Sequence, residues 1–363
     1  MRDFKIERPA ENLREAIQNK IDNLNKPKGS LGLLEELAMH ICLVQQTLQP
    51  QLKNPTHLLI GGDHGIEREG VSVTPREVTW QQMINYTLGG GGVNLFCRQH
   101  GFKLRIIDAG VDHDLSPFYM EEEQGAGGIL NRKIAWGTRD FLYEPAMTET
   151  EMEQAIEVGV REVDACIEAG CNILCIGEMG AANTSPSSIW MSLFCGIPLA
   201  ECVGVGSGLD SEGISRKRKV LEEALGRYRI WHKYDPESTT RVDILTAVRY
   251  FGGYEMVAAI GSMLRAAERG ILVMIDGFIM TACALACTRL YPDSQSYMIF
   301  GHMGDEGGHA RMLRFLQAKP LLALGMRLGE GTGALCAYPI IESAVRMMNE
   351  MNDFEHARIT KYF

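Results

Sequence analysis

From residue 57 onward apolar residues come in short runs, and each run stops at glycine beside a polar side chain. Leu58–Ile60 leads into Gly61-Gly62-Asp63-His64-Gly65, Leu104–Ile107 into Asp108-Ala109-Gly110-Val111-Asp112, and Ile173–Ile176 into Gly177-Glu178-Met179-Gly180. Leu199–Val203 leads into Gly204-Val205-Gly206-Ser207-Gly208, Ile271–Ile275 into Asp276-Gly277-Phe278, and Tyr297–Phe300 into Gly301-His302-Met303-Gly304. Segments long enough for helices lie between them, at 76–98, 149–169, 212–227, 254–269, 278–289 and 305–317. Strands alternating with helices predict right-handed βαβ units, and so an α/β, Rossmann-like parallel sheet with helices on both faces. Ligands of such sheets bind beyond the carboxyl ends of the strands, where the glycines and polar groups fall.

The chain ends read differently. Residues 9–48 carry helical spacing interrupted by Asn25-Lys26-Pro27-Lys28-Gly29-Ser30-Leu31-Gly32, and 340–351 also read as helix, with Pro339 at a first turn or a kink. A chain of 363 residues exceeds the usual size of one core. The expected division is a small helical domain from 1–50 and 335–363, and a Rossmann-like α/β catalytic domain over 51–334.

Composition narrows the function classes. A net charge of −10 argues against nucleic acid or an anionic membrane surface, since both are bound through clustered Lys and Arg. No apolar run reaches the roughly 18 to 20 residues of a membrane span, and Met1-Arg2-Asp3-Phe4-Lys5 lacks the apolar core of a signal peptide. A soluble, cytoplasmic protein is expected. Most of the ten cysteines sit inside apolar runs and read as small buried hydrophobes. Cys171 and Cys175, on one extended strand, would be about 13 Å apart, too far to share an ion, so no metal is expected.

The sharpest chemical signal is Arg327-Leu328-Gly329-Glu330-Gly331-Thr332-Gly333, where one carboxylate ends an apolar stretch between glycines. Glycines there allow positive φ and close approach of a ligand, so Glu330 is a candidate proton acceptor in a partly dry site; a capped helix end with a solvated glutamate is the plainer alternative. Two glycine-rich turns, 177–184 and 204–209, are each expected to run from a strand into a helix and to offer backbone amides to a phosphate. Neither matches a dinucleotide or Walker fingerprint, which favours a mononucleotide, and one of them can be a plain tight turn. Lys217 lies in Ser215-Arg216-Lys217-Arg218-Lys219, a run mostly solvated, with one member able to turn inward toward an anion. Asp63, His64, His302 and His309 raise a metallohydrolase alternative, although the last two are seven apart and poorly spaced for chelation.

The motifs Lys26-Pro27-Lys28-Gly29-Ser30-Leu31-Gly32, Asp63-His64-Gly65, Val71-Ser72-Val73-Thr74-Pro75, Gly177-Glu178-Met179-Gly180, Asp276-Gly277-Phe278 and Arg327–Gly333 follow one another in order. In this order the chain closely resembles the nicotinate-nucleotide–dimethylbenzimidazole phosphoribosyltransferases over nearly its whole length. The resemblance implies transfer of phosphoribose from nicotinate mononucleotide to a benzimidazole-type base, giving an α-ribazole 5′-phosphate for the lower ligand of cobamides. It implies a homodimer and no cofactor. Catalytic roles map onto Glu330 as proton acceptor and onto Glu178 and Lys217 for positioning and electrostatic stabilisation. The base pocket maps onto Thr74, Pro75 and Gln82. The phosphate and ribose map onto Gly177, Met179, Gly180, Gly204, Gly206, Ser207 and Gly329. Departures from the family pattern are Gly301 and Gly304 in place of two serines, Thr74 in place of a frequent serine, and the turn Gly180-Ala181-Ala182-Asn183-Thr184-Ser185; they bear on base preference and phosphate contacts.

Overall fold

The computed structural model describes residues 2–120, 127–233 and 240–362. A parallel six-stranded sheet runs through it in the order β3-β2-β1-β4-β5-β6. Its strands are β1 Thr56–Gly62, β2 Lys103–Gly110, β3 Ile129–Asn131, β4 Ile173–Met179, β5 Leu272–Ile275 and β6 Met298–Phe300. The order reverses between β1 and β4, and in a doubly wound sheet the crevice at that reversal is where ligands sit.

Side-chain alternation builds both faces. Leu58 and Ile60 of β1 join Leu174, Ile176, Val273 and Ile275 in one apolar cluster, covered by α5 Glu149–Glu168, α6 Thr184–Cys195, α8 Ser211–His232, α9 Arg241–Phe251, α10 Tyr254–Glu268 and α11 Phe278–Leu290. Leu59, Ile173, Cys175, Leu272 and Met274 point the other way, under α1 Arg14–Asn23, α2 Leu33–Gln45, α3 Glu77–Thr87, α4 Gly92–His100 and α13 Thr332–Glu350. Strands buried on both sides have to be apolar throughout, which is why the sequence shows runs and not alternation.

Three expectations are corrected. Leu199–Val203 is not a strand: Leu199–Cys202 is the short helix α7, entered through Pro198, with Leu199 and Cys202 buried three apart while Ala200 and Glu201 face out. The turn 204–208 therefore joins two helices. The remaining strand is β3, three residues beside Gly128, too short to show a period. The run 305–317 is helical only over α12 His309–Phe315, while the connector 76–98 has the helix break that its four glycines 89–92 suggest, between α3 and α4. Pro339 lies inside α13, which starts at Thr332.

Candidate active site

A cavity of about 530 Å³ opens beyond the carboxyl ends of β4, β5 and β6. Glu178 near the end of β4, Asp276 and Gly277 after β5, and His302 after β6 form one wall. Ser72, Thr74, Val78 and Gln82 from the segment entering α3 form a second. The loop 326–330 closes the third, and Gly180 to Thr184 with Gly206 and Ser207 form the far end.

Glu330 is held by its backbone and by its carboxylate. Gly329, Glu330 and Gly331 all have positive φ, at 84°, 61° and 77°, a conformation that costs a residue with a Cβ roughly 1–2 kcal/mol. The three glycines of the motif make room for strand-end side chains. A Cβ at Gly329 would lie 2.6 Å from Glu178 Oε1, one at Gly331 would land on the His57 ring, and one at Gly333 on the His302 ring. Gly177 has the same use from the other side, since a Cβ there would collide with the Glu330 backbone. The buried Glu330 carboxylate accepts from Tyr86 Oη at 2.9 Å through Oε1 and from the Val93 N–H at 3.0 Å through Oε2. Burial first, then the Glu330 charge, pushes the Tyr86 phenol far above its usual range, so it stays a donor. Each carboxylate oxygen keeps a lone pair for a ligand.

Acidic side chains are concentrated under the cavity. Burial, and then the neighbouring carboxylates of Glu255, Asp276 and Glu330, push Glu178 up to about 8, against the opposing hydrogen bond from Asn183 Nδ2. Burial also opposes ionisation of Asp276, but His302 and the Ala334 N–H outweigh it and hold this carboxyl below its ordinary range. Glu255 lies behind Gly180, its Oε1 2.6 Å from His64 Nε2. Such a site favours a ligand with positive charge at its reacting centre.

At the far end Lys217 is the buried member of its basic run, and Arg216, Arg218 and Lys219 face solvent. Burial pulls the Lys217 ammonium down to about 8 despite the pull of Glu306. It donates to Thr184 Oγ1 at 2.7 Å.

A family model described as phosphoribosyltransferase matches residues 6–359. The nicotinate-nucleotide–dimethylbenzimidazole phosphoribosyltransferase of Bacteroides fragilis is 55% identical over 363 residues, all of both chains. The protein of the same name from Dechloromonas aromatica is 44% identical over 99% of each chain. The crystal structure of CobT from Thermus thermophilus superposes with a TM-score of 0.86 at 32% identity, over 97% of this chain and 100% of that one. The chain belongs to this phosphoribosyltransferase family.

Of the residues singled out in the sequence, Thr74, Gln82, Glu178, Met179, Gly180, Gly206, Ser207, Gly329 and Glu330 line the one cavity. Pro75, Gly177, Gly204 and Lys217 do not line it. Gly177 supports Glu330 from behind, and Gly204 lies against the Glu306 carboxylate. The 204–208 turn reaches the cavity although it leaves a helix and not a strand. Among the alternative metal ligands, His64 is taken by Glu255, while His309 accepts from the Gly304 N–H and pairs with Thr281 Oγ1 at 2.9 Å. Among the described residues no three His, Cys, Asp or Glu side chains converge as a ligand set. The sequence reading missed Tyr86 and Val93, and took Asn183 and Thr184 only as backbone of a phosphate turn, not for their side-chain bonds to Glu178 and Lys217. It also missed Glu255, which did carry a signal as a lone carboxylate in the apolar start of a helix.

Proposed function

We propose that the protein moves the 5-phosphoribosyl group of nicotinate mononucleotide to 5,6-dimethylbenzimidazole or a related lower-ligand base. Nicotinate and α-ribazole 5′-phosphate are the products, in assembly of the cobamide nucleotide loop. Family membership over nearly the whole chain supports the reaction class. The single observation that carries the mechanism is the Glu330 carboxylate, fixed at the cavity wall by Tyr86 and Val93 with lone pairs to spare.

Nicotinate on C1′ is a pyridinium and leaves with the electron pair of the C1′–N bond. The sugar then carries oxocarbenium-like charge, which the buried Asp276 and Glu330 stabilise from below, with Glu178 contributing as a neutral carboxyl dipole below about pH 8. The lone pair of one imidazole nitrogen attacks the face opposite the leaving group, which turns a β-glycoside into an α-glycoside. Attack makes the N–H of the other ring nitrogen acidic, and Glu330 accepts that proton. Gln82 Oε1 accepts from Asn85 Nδ2 at 3.0 Å, which orients the Gln82 amide at the base end beside Thr74, with Pro75 shaping the segment. Met179, Gly180, Gly206, Ser207 and Gly329 are the contacts for phosphate and ribose, and Gly177 and Gly204 shape the walls behind them.

The same reading includes a homodimer in the cytoplasm, with no nucleic-acid or membrane partner. Leu88, Leu95 and Leu328 are exposed, and Leu328 lies against Gly92 near the cavity mouth, apolar surface suited to a second copy. No helix among the described residues is long and apolar enough to cross a membrane. A helical part of 1–50 and 335–363 and an α/β part of 51–334 also belong to this proposal, supported by the packing of α13 on α2 and of α1 on α2.

The test is nicotinate release from nicotinate mononucleotide with 5,6-dimethylbenzimidazole, adenine or p-cresol supplied in turn and EDTA present. Release that depends on base, with an α-ribotide as second product, is expected. Phosphate release that needs added metal would replace this reading with a hydrolase.

A further inference from the structure

Lys217 reaches the cavity only through another side chain. It is fully buried, it is absent from the cavity wall, and its ammonium donates to Thr184 Oγ1 at 2.7 Å. Thr184 does line the wall, is half-exposed, and starts α6. Across from it stands the 204–208 turn: a Cβ at Gly206 would lie 3.3 Å from Thr184 Oγ1 and 3.6 Å from Lys217 Nζ. A hydroxyl has one hydrogen and two lone pairs. With a lone pair taken by the ammonium, the Thr184 hydrogen turns away from Lys217, and among the described residues no protein acceptor takes it. A donor polarised by a neighbouring buried cation is a stronger donor than a free hydroxyl. Gly206 and Ser207 line the same end of the cavity, so an anionic oxygen there meets this hydroxyl and the turn together.

We propose that Lys217 is a positioning residue for the substrate phosphate, acting through Thr184, whose hydroxyl hydrogen it aims at a phosphoryl oxygen held against the 204–208 turn. This rests on the transferase reading. Glu306 completes the arrangement, since it lines the cavity, interacts with the Lys217 charge, and stands within reach of the Gly206 N–H. A free phosphate has to displace that carboxylate from the turn, and the Thr184 hydroxyl supplies a contact that Glu306 does not need.

The experiment compares Thr184→Val, Thr184→Ser, Lys217→Met and the double variant Thr184→Val/Lys217→Met. Lys217→Met keeps the buried volume and removes the charge. Thr184→Val is expected to raise KM for nicotinate mononucleotide about 10- to 100-fold, the value of one hydrogen bond to a charged group, with kcat and the KM of the base little changed. Thr184→Ser restores binding. The double variant is no worse than Thr184→Val, because Lys217 acts only through the Thr184 hydroxyl. With nicotinate riboside, which has no phosphate, Thr184→Val and wild type are equal. Additive losses, or an equal loss on the riboside, would overturn the proposal. Calorimetric titration with inorganic phosphate gives a readout without turnover: weaker binding to Thr184→Val supports the proposal, and unchanged binding sinks it. If wild type binds phosphate but releases no nicotinate with any base, the transferase reading fails while the phosphate contact stands.

Discussion

The two ends of the cavity are built on different principles. At the Glu330 end the wall is assembled from strand ends. Glycines 329, 331 and 333 lie against Glu178, His57 and His302, and both carboxylate oxygens already have donors. At the far end the wall is a turn between α7 and α8 and the first residues of α6, tied together by the buried Lys217. One end is fixed by close packing before any ligand arrives; at the other the Thr184 hydroxyl hydrogen has no protein acceptor among the described residues, and Glu306 stands at the Gly206 N–H. On the proposed mechanism, chemistry that has to align a proton acceptor within tenths of an ångström uses the packed end, and binding of a flexible phosphate uses the loop-built end.

Removing the acceptor at the packed end is the largest perturbation. Glu330→Gln keeps the shape and the bond from Val93, and turnover at saturating substrates is expected to fall about 10²- to 10⁴-fold with little change in nicotinate mononucleotide binding. A rate near wild type would move the proton transfer to another group or to water.

Next comes the proton held on Glu178 beneath that end. The folded protein keeps a proton on Glu178 up to about pH 8, whereas an unfolded glutamate releases it near 4.5. Stability therefore falls as pH rises through that window, by up to about 5 kcal/mol at about 1.4 kcal/mol per unit. Urea unfolding of wild type and Glu178→Gln at pH values across the window checks this: the variant is expected to lose most of the slope, and an unchanged slope would assign it to other groups.

Packing itself is tested by Gly331→Ala, which places a Cβ on the His57 ring at a φ of 77°. An unfolding loss of about 2–4 kcal/mol is expected, with activity falling as Glu330 shifts. A loss of less than about 1 kcal/mol would show that this end yields as easily as the other. The smallest effect belongs to the loop-built end. Ala182 has a φ of 72° in the turn before α6, so Ala182→Gly is expected to gain about 1 kcal/mol in thermal unfolding. A destabilised Ala182→Gly would mean that the methyl packs well enough to offset its strain.

The sheet was legible because five of the six apolar runs are doubly buried strands, and their glycine-bearing ends mark the ligand side. The run at 199–203 misled because a short amphipathic helix and a short buried strand share a composition; only the spacing of Leu199 and Cys202 separates them. Strand β3 was hidden by its length. Glu330, Glu178 and the two glycine turns could be found from local chemistry. Tyr86 and the Val93 amide could not, because they meet Glu330 across more than 230 residues of chain and look like ordinary helix positions.

By itself the sequence determined the layered α/β class, the end of the sheet where the cavity opens, the family, and the glycine-flanked carboxylate Glu330 as the candidate proton acceptor. These follow from local patterns: burial on two faces forces apolar runs, and close approach forces glycine. Tertiary structure alone decided which lysine of the basic run turns inward, and why each glycine around Glu330 has no side chain. It also decided that Lys217 stands behind Thr184 and not in the cavity. The reason is that these are contacts between segments distant in the chain, and hydrogen bonding and exclusion of volume act through space.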